Sequence, residues 1–99
     1  MSGCTIDAVA PGRLTVRGEL DFDNAPAALS RGLALLGDTK DCVIDLSGLS
    51  SGDSAGLAVL IEWLASARRR GASLRYTDVP AQIRAIARIS ALEDLLSPA

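Results

Sequence analysis

The chain has 99 residues, 48% of them hydrophobic, which suits one domain over residues 1–99 with a small core. A formal net charge of −2 argues against general nucleic-acid binding, which needs a basic face to displace counterions. Histidine is absent, which removes the usual general base and the commonest metal ligand.

Residues 5–9 and 13–18 read as two short strands around Pro11-Gly12, a turn signal that suggests a hairpin. Asp23 or Asn24 can cap a first helix with Pro26 in its first turn. Leu29, Leu33 and Leu36 line one face of that helix, and Gly37 is its expected stop. Residues 42–46 form an apolar central strand, followed by a small, polar turn over 50–54. The second helix is expected over 55–70, with Leu57, Leu60, Ile61 and Leu64 facing the core and Gly71 ending it. That face leaves Trp63 on the flank, where a tryptophan can serve as an interface anchor.

Residues 73–77 form a further strand, and Asp78 caps a third helix with Pro80 in its first turn and Ile83, Ile86 and Ala87 inward. Residues 91–96 add a last helical turn. Right-handed β-α-β crossovers make the later strands parallel, while the opening hairpin adds one antiparallel strand. The expected architecture is therefore α/β, a small mixed β-sheet with helices packed on it in the order β-β-α-β-α-β-α.

Arg68-Arg69-Arg70 falls where cations complement a helix dipole, and Arg84 and Arg88 are expected on a solvated face. No apolar run reaches the roughly 18 residues of a bilayer span. Residues 1–5 have neither a basic region nor an apolar stretch, so no secretory signal is expected. Cys4 and Cys42 stand at unrelated places and suit a reducing, cytoplasmic setting better than a disulfide. There is no Cys-x-x-Cys pair and no P-loop, so neither a metal nor a cofactor is expected. Asp53 beside Ser54 lacks a third member to orient a nucleophile, which argues against an enzyme. An enzyme or nucleotide-binding protein using that turn is the weakest of three function classes.

Gly18-Glu19-Leu20-Asp21, Asp45-Leu46-Ser47-Gly48-Leu49 and Asp53-Ser54-Ala55-Gly56-Leu57 together resemble the signature of STAS domains. The resemblance covers essentially the whole chain and implies the SpoIIAA-like fold. In the anti-sigma-factor-antagonist branch, the serine after the aspartate is phosphorylated by a partner kinase that doubles as the anti-sigma factor, which implies Ser54, with Asp21 close by. The run 54–64 followed by 67–71 is similar to the MlaB branch, small cytoplasmic subunits of Mla-type phospholipid transporters. That branch implies a non-catalytic module docking on the ATPase subunit of an ABC complex, peripheral on the inner membrane through this partner. It is the favoured reading, and a phosphorylation switch at Ser54 is the alternative.

The expected docking or modification residues are Ser54, Asp53, Asp21, Ala55, Gly56 and Trp63. Ser54 is expected to cap the second helix as well, and Asp53 either caps the turn or joins the binding face. Gly52 stands where the family usually has an apolar residue, which predicts a looser turn before Asp53.

Overall fold

The computed structural model describes residues 3–96, so the first two residues of the stretch 1–5 lie outside it. The elements are β1 (Cys4–Ala10), β2 (Arg13–Leu20), α1 (Ala25–Leu36), β3 (Asp41–Gly52), α2 (Ser54–Arg69), β4 (Ser73–Thr77), α3 (Ala81–Ile89) and α4 (Glu93–Leu96). The four strands form one sheet in the order β1-β2-β3-β4. β1 is antiparallel to β2, and the other two pairings are parallel, as the crossovers require.

Two successive right-handed crossovers in the same direction place α1 and α2 on the same face of the sheet. Strand alternation follows suit. Leu14, Val16, Ile44, Leu46 and Tyr76 are buried, whereas Thr15, Asp45 and Arg75 between them are not. The opposite sheet face stays polar, with Arg17 and Asp7 paired across it at 3.0 Å.

β3 departs from expectation by running six residues further, through Gly52. The polar segment 47–52 stays in the ladder because Arg17 to Leu20 of β2 continue to pair with it, through two register shifts. Ser50 Oγ also donates to Gly18 O at 2.9 Å. The third helix likewise begins later. Pro80 is its cap residue rather than part of its first turn, and Asp78 sits in a left-handed turn at φ 57° instead of capping it. The proline disfavours helical backbone at Val79 before it, and Pro80 is itself extended at ψ 142°, so the helix starts at Ala81.

α2 is the central element. Its buried arc is Gly56, Leu57, Val59, Leu60, Trp63 and Ala67, rotated from the expected one towards α1. Trp63 is therefore not an interface residue. It is fully enclosed, and its Nε1 donates to Leu29 O at 3.2 Å. The space for it comes from Gly32 of α1, where a Cβ would overlap the indole.

On the other side of α2, the buried Tyr76 hydroxyl donates to Leu60 O at 2.6 Å. Tyr76→Phe should cost about 1 kcal/mol, the net worth of one buried hydrogen bond. Burial also holds the Tyr76 hydroxyl well above its ordinary pKa. The neutral form is thus favoured in the folded state, so stability is intact below the unfolded tyrosine pKa of about 10 and falls as pH rises beyond it. Urea titrations at neutral and alkaline pH should show Tyr76→Phe weakening the alkaline loss.

Candidate functional site

β2 and β3 end side by side, with Leu20 paired to Gly52, and each strand runs into a helix. Loops at the carboxyl ends of parallel strands are where open α/β sheets carry their function.

Asp53 ties the two loops together. Its Oδ1 accepts from Ala55 N at 2.9 Å and Gly56 N at 3.1 Å, which caps α2. Its Oδ2 accepts from Phe22 N at 3.3 Å in the neighbouring loop. Asp53, not Ser54, is thus the N-cap, because the lengthened β3 delivers the aspartate to the last non-helical position. Ser54 moves to the first helical position, exposed, and its hydroxyl has no hydrogen-bond partner among the described residues. Asp53→Ala should lower stability by about 1–2 kcal/mol, and Asp53→Asn should restore most of it, as read by thermal unfolding.

Asp21 organises the first loop. Its Oδ1 accepts from Asp23 N at 3.0 Å and Asn24 N at 3.1 Å. Asn24 answers by accepting from Asp21 N at 2.9 Å and donating to Glu19 O at 2.7 Å. Short polar side chains bonding to nearby backbone are what make such a loop tight. Both aspartates expected in the site are therefore brought there, each as the clamp of one loop.

The clamps leave Phe22 pointing outward, 80% exposed. It lines a groove of about 600 Å³ between Pro26, Leu29 and Leu33 of α1 and Ala55 and Ala58 of α2. Ser54 does not itself line the groove; it is the first residue of α2, next to Ala55, and so stands beside that end of it. Ala55 is part of the groove wall, whereas Gly56 is buried, where a Cβ would come within 2.8 Å of Leu20 O. Sequence reasoning missed Phe22. An aromatic between two aspartates, just past a strand end, is the signal that could have found it.

Gly52 does not loosen the turn. It is buried, and the place of a side chain is taken by Ile83, whose Cδ1 a Cβ at Gly52 would overlap. The Gly52 N–H donates to Gln82 Oε1 at 3.2 Å. α3 therefore backs the site from within the fold.

Asp45 lies on the open sheet face, where the Ser47 N–H at 2.8 Å holds its carboxyl below the usual range. Burial pushes both thiols up, so neither Cys4 nor Cys42 is a ready thiolate at neutral pH. Among the described residues, no cluster of three or more His, Cys, Asp or Glu side chains could hold a metal. None of their helices is long and apolar enough to cross a membrane.

Fold and site together define an α/β module with an apolar groove beside an exposed serine at a helix start. The chain belongs to the MlaB-type STAS domain family, whose pattern, described as "Mlab, STAS domain", matches residues 7–97. STAS domains are generally regulatory or interaction domains that bind partner proteins.

Solved structures that share the fold include the following three. The phosphorylated form of SpoIIAA, the Bacillus cell fate determinant, is 16% identical with a TM-score of 0.69, covering 98% of this chain and 91% of that one. An anti-sigma factor antagonist from Mycobacterium paratuberculosis is 21% identical with a TM-score of 0.74, covering 97% and 83%. A sulfate transporter family protein from Wolinella succinogenes is 20% identical with a TM-score of 0.68, covering 92% and 76%. No curated protein matches the chain.

Proposed function

We propose that this chain is a non-catalytic STAS subunit that binds the ATPase subunit of an Mla-type phospholipid-transport ABC complex and supports its assembly or activity. Its place would be cytoplasmic, at the inner membrane through that partner, in the upkeep of outer-membrane lipid asymmetry. The observation that carries the reading is the groove beside Ser54, with an exposed Phe22 that the fold itself does not use. Exposed apolar surface of this kind supports a partner contact, with an aromatic side chain as a suitable anchor.

The test is titration of the chain with the transporter's purified ATPase subunit by calorimetry. Phe22→Ala should weaken the complex about tenfold or more while leaving the unfolding midpoint unchanged. Absence of any complex with the unaltered chain sinks the reading.

A second reading, an anti-sigma factor antagonist, is favoured by the exposed hydroxyl of Ser54, which has no partner among the described residues. A partner serine kinase acting there would set a phosphate beside the Asp53 carboxylate, and the added charge would repel a docked partner. Under this reading Ser54→Ala stays active and Ser54→Asp is inactive. The transporter reading instead expects damage graded by side-chain size and charge.

A further inference from the structure

β1 is one edge of the sheet, and its pairing with β2 fixes which backbone groups remain free. Glu19 N donates to Gly3 O at 2.9 Å, and the register continues with Thr5 on Arg17 and Asp7 on Thr15. Alternate residues of an antiparallel ladder turn their N–H and C=O to opposite sides. Those of Cys4, Ile6 and Ala8 therefore point away from the sheet, and among the described residues no strand meets them. By the same count β4, the other edge, leaves outward only Leu74 and Tyr76, since Ser73 N donates to Lys40 O.

Natural edges are blunted by charge, proline or bulges. Over residues 4–8 of β1 the one charge, Asp7, is only partly offset by Arg17 at 3.0 Å, the bulge falls between Ala8 and Ala10, and Pro11 comes later still.

We infer that β1 pairs with β1 of a second copy, antiparallel about a two-fold axis at Ile6, joining two four-stranded sheets into one of eight strands. The register follows from what each alternative meets. An axis at Asp7 sets the two Asp7 carboxylates opposite each other. An axis at Thr5 leaves only Cys4 and Ile6 of the outward residues in the ladder.

An axis at Ile6 uses all three, pairing Ile6 with the partner's Ile6 and Cys4 with the partner's Ala8. On the open sheet face it sets Thr5 opposite the partner's Asp7, where a hydroxyl can donate to a carboxylate. On the helix side, a groove of about 290 Å³ between Ile6 and Ala27–Ala28 of α1 lies along this edge, where the partner strand would cover it. The α1–α2 groove and Ser54 stay open in this dimer, so the inference is independent of the partner proposed above.

Sedimentation equilibrium on the full chain tests it. The weight-average mass should rise with concentration from 10.2 kDa towards twice that value. Within one copy Thr5→Asp sets its carboxylate opposite Arg17, which already pairs with Asp7, so monomer stability should change little. Across the axis it sets two like-charge pairs against the partner's Asp7, and the dimer should weaken about tenfold. The double variant T5D/D7T again places Asp opposite Thr and should restore it. Amide exchange at Cys4, Ile6 and Ala8 of the unaltered chain should slow as concentration rises. A mass that stays at 10.2 kDa, an unaffected Thr5→Asp dimer, or exchange independent of concentration overturns the inference.

Discussion

Replacing Trp63 with alanine is expected to lower the free energy of unfolding by about 3–5 kcal/mol. The indole is fully enclosed between α2 and α1 and is the largest side chain in the core. Its removal forfeits the transfer energy of a large aromatic surface and leaves a cavity that two helices anchored on the same sheet cannot fully close. It also frees Leu29 O from the Nε1 donor, a small loss because that carbonyl lies within α1.

Trp63 is the only tryptophan, so its fluorescence reports folding of the unaltered chain, and circular dichroism in urea must report on the variant. Trp63→Phe should cost less than half as much. A loss under about 1 kcal/mol for the alanine variant would contradict an indole that holds α1 on α2.

Gly32→Ala, the other half of the same contact, should lower stability by about 1–2 kcal/mol. Two effects oppose each other. Alanine is the better helix former by about 1 kcal/mol, which favours the variant. Overpacking a filled core costs about 1–3 kcal/mol, and here the new methyl meets three atoms of a rigid ring rather than the end of a flexible chain. The ring is tethered through Nε1 and cannot swing aside, so the clash wins. Coupling proves the cause: in the W63F/G32A pair the smaller ring makes room, and the two losses should fall short of additivity by about 1 kcal/mol. Strict additivity would place the strain elsewhere.

That contact also shows where sequence reasoning stops. Strand and helix order, the parallel pairings and the antiparallel hairpin were legible because periodicity and turn residues act locally. The orientation of α2 was not. Positions 57–64 are apolar almost without a break, so several arcs of that helix could equally face a core. The choice is made by Gly32, thirty-one residues earlier in the chain, which opens space for one arc alone.

The cap of α2 was misjudged for a related reason. Asp53 and Ser54 are both good capping residues, and only the continued pairing of β3 with β2 decides between them. In the site itself, Asp21 and Asp53 were read from motif and spacing. The groove was not, since it takes residues from two helices and from a loop that looks polar.

The notch at Gly52 has a consequence of its own. The volume that a side chain would supply at the end of β3 is supplied from α3 by Ile83, so it has been moved from one layer of the fold to another. Positions 52 and 83 then behave as a single unit of fixed total size. A chain of the same fold with valine at the strand end should carry a smaller residue at the helix position, and transplanting either one alone should be worse than transplanting both.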